Sequence, residues 1–336
     1  MAAAYQAPSG TRCLAHTRAY RDGVVVAEGF DVAEVSDHLE HEGTSVWLDL
    51  LSPTAEDLQV LVEELGLHQL AVEDAVHRHQ RPKLDRYDDH LFLSSYVVTL
   101  DESTAELALD EVAAFVTPRA LVTVRSSDAL PVEHLVARWD GARAEAGSGV
   151  PFLLHGLLDL IVDGHFAAVQ LLDEQLDGIE DTLFDERPRS RELQRRTYEV
   201  RKSLVTLRRV VLPMREVVNV LLRRDLKVVD DAMHPYYLDV YDHVLRVTEW
   251  TESLRDLVST ILETNLTLQG NRLNEVMRSL AAGAAILAVT TAVTGFYGQN
   301  VPYPGYGRTS GFISSTVILV GISGWLYLYL KKRGWL

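Results

Sequence analysis

The sequence has a single cysteine, Cys13. One thiol allows neither a disulfide framework nor a thiolate zinc cluster within a chain. The body of the protein is therefore expected in reducing cytosol. The start, Met1 to Thr11, lacks the basic and apolar regions of a signal peptide. Acidic residues are missing from one end: residues 280–336 contain no Asp or Glu and four cations, Arg308, Lys331, Lys332 and Arg333. The whole chain is −16, so residues 1–279 carry −20 against +4 in this tail. An acidic body has no basic footprint for nucleic acid. It suits a protein that gathers cations. No nucleophile–base constellation stands out, so the chain is not read as an enzyme.

Proline is absent from Tyr237 to Asn300, and glycine is absent from Tyr237 until Gly270. Sixty-four residues of unbroken helix would span roughly 95 Å. That length needs a stalk, a coiled coil or a membrane span to explain it.

Residues 14–150 read as α/β. Strands are predicted at Ser45–Leu50, Leu91–Leu100, Glu111–Thr117 and Ala120–Arg125. The last two are rich in Val, Phe and Thr, and Pro118-Arg119 gives them a hairpin-like spacing. A helix is expected after Ser52, with Ser52 as N-cap, Pro53 in the first turn and Gly66 as the stop. Residues 141–149 read as a linker or loop. Helices follow from about Pro151 to Asp185 and from about Ser190 to Val229, divided by a turn at Arg187-Pro188-Arg189-Ser190. Pro213 is expected to kink the second.

Leu280–Gly298 and Phe312–Leu330 are nineteen residues each without a charge. Each is about 28 Å of helix and matches the hydrocarbon thickness of a bilayer. Two spans put both chain ends on one side. Lys331, Lys332 and Arg333 outweigh the one cation of the intervening loop, residues 299–311, so that side is the inside. Trp325, Tyr327, Tyr329 and Trp335 cluster toward the same end. The first span is rich in Gly, Ala and Thr, whereas the second carries Ile318, Leu319, Val320, Trp325 and Leu326. Asn274, Met277, Leu280, Ala284, Ala288, Thr291 and Gly295 recur at steps of three and four, so they share one helical face. That face is small or neutral. It would line a narrow pore if several copies surrounded an axis, or it would serve helix packing.

His77, Arg78 and His79 read as a polar loop rather than a His-x-His metal site. His155 and His165 lie ten residues apart on different faces of a predicted helix, so with Asp159 they form no zinc site.

Three stretches carry a family resemblance. Tyr297-Gly298-Gln299-Asn300 ends the first span, with Asn274-Glu275-Val276-Met277 below it. Val72-Glu73-Asp74 precedes His79-Gln80-Arg81-Pro82-Lys83 and an apolar strand. Asp239-Val240-Tyr241-Asp242-His243 opens the long helix. With two C-terminal spans and a basic end, this arrangement resembles the CorA family of divalent-cation channels, whose signature is Gly-Met-Asn. The resemblance covers essentially the whole chain.

The resemblance implies an α+β membrane protein. Residues 1–150 would be a cytoplasmic α/β domain and 151–279 a long-helix stalk forming a funnel. Residues 280–298 would be the pore-lining span, 312–330 the second span and 331–336 a basic cytoplasmic tail. It implies a homopentamer in the cell (inner) membrane, with both termini cytoplasmic. The transported and regulatory ion would be Mg²⁺, with Co²⁺ and Ni²⁺ as other cargo. No organic cofactor is implied, and no Gly-x-x-x-x-Gly-Lys-Ser/Thr loop is present.

Mg²⁺ holds its waters tightly, so a filter that binds the hydrated ion needs neutral acceptors. Asn300 would supply an amide ring, with Gly298 leaving room for backbone and Gln299 beside it. Thr291 could hydrogen-bond the hydrated ion, and Gly295 would leave only backbone. Met277 and Leu280 would be apolar constrictions that gate by dewetting, and Asn274 a polar ring beneath. Asp74 and Asp239 match positions that hold regulatory Mg²⁺ between subunits.

Two departures bear on the ion. Gln299 replaces the usual Met, and the loop from Val301 to Arg308 has no acid. A Zn²⁺ or other transition-metal transporter of the same fold is one alternative. A non-conducting, membrane-anchored metal sensor or scaffold is another.

Overall fold

Strands form where β-branched and aromatic residues accumulate, and seven of them join one sheet. They are β1 (Leu14–Arg21), β2 (Val24–Glu28), β3 (Thr44–Leu51), β4 (Lys83–Arg86), β5 (Leu91–Asp101), β6 (Glu106–Val116) and β7 (Ala120–Arg125). The order is β2-β1-β3-β7-β6-β5-β4. β3 and β7 run parallel, from Val46 opposite Ala120 to Leu51 opposite Arg125, and every other pairing is antiparallel. The helices are α1 (Val35–Leu39), α2 (Ala55–Leu65), α3 (Gln69–Val76), α4 (Val132–Gly141), α5 (Val150–Leu183), α6 (Ser190–Leu221), α7 (His234–Tyr297) and α8 (Thr309–Lys332). This computed structural model describes residues 13–77, 80–142, 146–183, 190–223, 226, 228–299 and 302–336. The chain divides into two compact units between Ser259 and Thr260.

In the first unit both faces of the sheet are covered. Val46, Leu48 and Leu50 of β3 pack with Leu58 and Leu61 of α2 and Ala71 of α3. Alternation along the strand sends Trp47 and Asp49 to the other face. Trp47 meets Trp139 of α4 edge-on at 4.8 Å. Asp49 is fully buried and bonded to Arg125 Nε at 2.8 Å, and Thr123 donates to its other oxygen at 2.8 Å. Partners on both carboxylate oxygens are what a charge at this depth requires. α5 lies across this face, and Gly156 lets it approach: a Cβ there would collide with the Trp139 indole.

The predicted strands are all present, and β6 begins five residues earlier than expected. β1, β2 and β4 were not anticipated. The helix cap is corrected. Thr54, not Ser52, caps α2: its hydroxyl accepts from the Asp57 amide, and the Asp57 carboxylate accepts from the Thr54 amide in a capping box. Ser52 instead holds a left-handed φ of 50° and donates to the Ser126 carbonyl at 2.9 Å. Gly66 ends α2 at φ 69°, as expected. Within 141–149, α4 runs to Gly141 and a short 3₁₀ turn covers Ala146–Ser148. α6 keeps Pro213 inside it and stops at Leu221, eight residues short of the expected end. Arg187, Pro188 and Arg189 of the expected turn lie outside the described residues, and Ser190 opens α6.

Among the described residues three helices are long and apolar enough to cross a membrane: α5, α7 and α8. Burial separates them. The apolar stretch of α5 is 61% buried, against 6% for those of α7 and α8. α5 is therefore a core helix, and the second unit, which holds the C-terminal part of α7 and all of α8, carries two apolar helices with their sides uncovered. There the Thr290 and Ser323 hydroxyls meet at 3.4 Å.

Two predictions follow from the core. Gly156→Ala forces Trp139 aside and should destabilise the first unit by about 1–3 kcal/mol, read as a lower thermal midpoint of the full chain. His165 of α5 is fully buried, its Nε2 bonded to the Tyr96 carbonyl at 2.8 Å, and burial lowers its pKa to about 4. The unfolded chain binds this proton at pH 6.5 and the fold resists it. Stability from this group is complete above 6.5 and lost as pH falls toward 4, by on the order of 3 kcal/mol. His165→Gln keeps a donor and should flatten the slope of stability against pH in that window. An unchanged slope would contradict the assignment.

Candidate ion path and cation sites

Side-chain size divides the apolar part of α7 into two faces. At 3.6 residues per turn, Ala282, Ile286, Val289, Thr290, Val293 and Tyr297 share one side, and all are buried or half-buried. Thr290, which meets Ser323, lies on that side, so it is the side turned to α8. Asn274, Met277, Leu280, Ala284, Ala288, Thr291 and Gly295 are all exposed. From Ala284 to Gly295 they sit roughly 100–160° around the helix from Thr290. Ile286, Val289, Val293 and Tyr297 are half-buried on that side, whereas the stripe is exposed, as are Leu287 and Phe296. Packing against α8 therefore does not account for the stripe.

The stripe has defined chemistry. Thr291 donates its hydroxyl to the Leu287 carbonyl at 2.9 Å. Its hydrogen is thereby used and its lone pairs remain as acceptors on the exposed face. No atom other than the helix backbone stands near Gly295. Met277 and Leu280 are 56% and 64% exposed apolar side chains.

α7 ends at Tyr297. The Gly298 amide donates to the Thr294 carbonyl at 2.9 Å, and the Gln299 amide to that of Phe296 at 3.3 Å. A Cβ on Gly298 would stand 3.0 Å from the Thr294 oxygen, so this turn is built for glycine. Tyr297, Tyr303 and Tyr306 follow one another edge-to-face at 5.0 and 5.3 Å. They tie the loop to the helix end. Asn300 lies outside the described residues. At the far end of α8, Lys331 and Arg333 stand over the rings of Tyr327 and Tyr329.

The two expected regulatory acids are both in the first unit and are not joined to each other by a hydrogen bond or ion pair. Asp74, on α3, pairs with Lys83 Nζ at 2.6 Å, and Lys83 also holds Asp85 at 2.7 Å. Asp239, on α7, is 65% exposed and stands 3.9 Å from His243 Nε2, one turn on.

Sequence reasoning missed a cluster beside it. Asp159 and Asp163 of α5 and His243 of α7 place one ligand atom each within 4.8 Å of one another. Arg138 binds both acids, reaching Asp163 at 2.8 Å. Burial first, and the Asp163 charge second, hold the Asp159 carboxyl above its usual range, while Arg138 opposes them. Two carboxylates and an imidazole form a hard-to-borderline donor set that fits a divalent cation. The detectable signal was the pair of four-residue spacings, Asp159/Asp163 and Asp239/His243. His155 and His165 stay out of it: His155 packs on the Tyr236 and Tyr237 rings, and His165 faces the sheet. His77 Nδ1 lies 2.8 Å from the Glu73 carbonyl, and Arg78 and His79 are outside the described residues.

Residues 42–332 match the family model described as CorA-like Mg²⁺ transporter protein. The chain is 30% identical to the cobalt/magnesium transport protein CorA of Thermotoga maritima, over 87% of this chain and 84% of the relative. It is 23% identical to the zinc transport protein ZntB of Pectobacterium carotovorum, over 76% and 77%. Its fold matches the complete structure of the CorA magnesium transporter from Methanocaldococcus jannaschii with a TM-score of 0.77, at 20% identity, over 96% of this chain and 98% of the other.

Proposed function

The chain belongs to the CorA-like Mg²⁺ transporter family, which makes it a divalent-cation transporter of a membrane, and from that premise we propose that it is the pore-forming subunit of a homopentameric channel for passive Mg²⁺ uptake. The observation that carries this reading is the exposed neutral stripe of α7, turned away from its contact with α8. Five such stripes around an axis would make a narrow path without charge. Its floor would be the Asn274 ring, followed by constrictions at Met277 and Leu280, the small residues Ala284 and Ala288, acceptors at Thr291 and bare backbone at Gly295. Gly298, Gln299 and Asn300 would form the outer filter.

The chemistry fits a hydrated ion. Stripping Mg²⁺ costs too much for rapid passage, and neutral acceptors bind its waters without trapping it. The mouth has no acid, but five helix C-termini would converge there. Each presents carbonyl oxygens worth roughly half a negative charge, which offsets Arg308.

The inner side would be the cytoplasm of the cell (inner) membrane, with both termini there and the first unit in a funnel. Internal Mg²⁺ would bind Asp74 and Asp239 of neighbouring subunits and hold the pore closed. Lys83 modifies that picture, because it already neutralises Asp74. The regulatory ion would compete with an ammonium, which sets its affinity low and makes release responsive. Asp159, Asp163 and His243 would extend the cation site around Asp239.

A transition-metal cargo is the second reading. Gln299 and the imidazole in the cation cluster favour it, as does the likeness to a protein named for zinc transport. Flux of Mg²⁺, Zn²⁺, Co²⁺ and Ni²⁺ into liposomes holding the purified protein separates the readings. Mg²⁺ flux is expected, falling on the order of tenfold in Asn300→Ala, since the ring's hydrogen bonds to the hydration shell are lost. Zn²⁺ flux that excludes Mg²⁺ would establish the second reading, and no flux of any ion would leave a membrane-anchored sensor or scaffold. Unaltered flux in Asn300→Ala would remove Asn300 from the filter.

Regulation has its own test. Mg²⁺ should protect α7 from protease, and Asp239→Ala should need several-fold more Mg²⁺ for half-protection. Lys83→Met should need less, because the competing cation is gone. Identical midpoints in all three proteins would refute a regulatory cation at these residues.

A further inference from the structure

The turn at Arg81-Pro82 has no part in the ion path, yet it forms one wall of a cleft of about 710 Å³ in the first unit. The facing wall is α6 at its proline, with Arg208, Arg209 and Pro213, and Tyr96 of β5 also lines the cleft. Three arginines thus line one cleft in a body of strongly negative charge. Among the described residues no carboxylate lines it. Arg208 is held from outside by Glu252 of α7, at 2.8 Å. Arg81 and Arg209 have no ion pair or hydrogen bond among the described residues, although acids outnumber cations in the chain by 48 to 32.

Like charges gathered in a cleft repel one another, and an anion removes that cost. Arginine offers planar, paired donors that match phosphate oxygens. Apart from Gln80, the rest of the cleft is apolar: Leu109, Val210, Leu212, the flat rings of Pro82 and Pro213, and that of Tyr96, whose hydroxyl donates to the Gln80 carbonyl. Cleft volume lies in the range of small-molecule sites and exceeds what inorganic phosphate would fill. We propose that this cleft binds a phosphate-bearing organic anion of nucleotide size, with the phosphates on Arg81 and Arg209 and the ring system on the prolines and Tyr96. Such a ligand would compete with Glu252 for Arg208, and so would act on the helix that continues into the apolar span.

Binding is measurable without any transport, so this inference stands or falls apart from the proposed channel. Calorimetry with full-length protein in detergent and excess EDTA uses ATP, AMP, adenosine and tripolyphosphate as probes. Chelation removes cation bridging. ATP is expected to bind in the submillimolar range, AMP more weakly and adenosine not detectably. Arg81→Glu with Arg209→Glu should weaken ATP at least about tenfold without lowering the thermal midpoint, and the matching double lysine variant should retain part of the affinity. ATP binding that is absent, or equal in parent and double glutamate variant, would overturn the site. Tripolyphosphate binding as tightly as ATP would overturn its assignment to an organic anion.

Discussion

A helix that leaves a protein core for an apolar phase must keep every backbone N–H and C=O paired while the side chains around it change. α7 meets that constraint by having no proline from Tyr237 to its end at Tyr297. Tyr237, Val240, Val244, Val247, Thr251, Leu254 and Val258 form a buried row in the first unit, with Thr248 buried beside it. The steps alternate between three and four, as in a coiled-coil seam. Beyond residue 265 that seam ends, and Leu266, Leu273, Val276, Met277 and Leu280 stand exposed. Charge disappears only afterwards, from Leu280. One helix therefore carries a core seam, an uncovered segment and a chargeless span in succession. Each has its own side-chain rule on a single backbone rule.

This succession explains what was legible. Long helices and spans announce themselves through length, composition and the lack of breakers, and α5, α7 and α8 fall within a few residues of expectation. Central strands announce themselves through apolar runs, as β5 and β7 do. Strands whose case rests on pairing did not. β1 reads Leu-Ala-His-Thr-Arg-Ala-Tyr-Arg, and its buried Arg18 is paired with Asp140 of α4 at 3.1 Å and Glu28 of β2 at 3.4 Å. β4 reads Lys-Leu-Asp-Arg and is a strand because β5 lies beside it. The polar first half of β6 was lost for the same reason. Ser52 and Thr54 are equally good caps by composition, and only the reciprocal bond to Asp57 selects Thr54.

The site divides in the same way. Spacing gave the stripe on α7 but left pore and packing equal. The fold adds that α8 meets α7 at Thr290 and leaves this stripe exposed, which is what the proposed pore reading rests on. The filter rests on resemblance alone, since Asn300 lies outside the described residues. The cation cluster needed tertiary contact: α5 and α7 are far apart in sequence, and Arg138 comes from α4. Lys83 was visible beside Arg81-Pro82, but its pairing with Asp74 depends on how β4 follows α3.

Those pairings bear on why the acids do not simply repel. Asp74 has Lys83, and Asp159 and Asp163 share Arg138. A first unit carrying most of a −20 charge would otherwise push its helices apart. Intrachain cations offset part of that repulsion. An ion that binds by displacing them gains only the difference between its attraction and theirs. At the proposed regulatory site a small difference would let ordinary changes in ion concentration set occupancy, as a site that senses an ion requires. In the proposed pore the neutral stripe would obey the same principle: weak, matched interactions would let the ion leave, and the acidic body would supply the attraction that the path itself lacks.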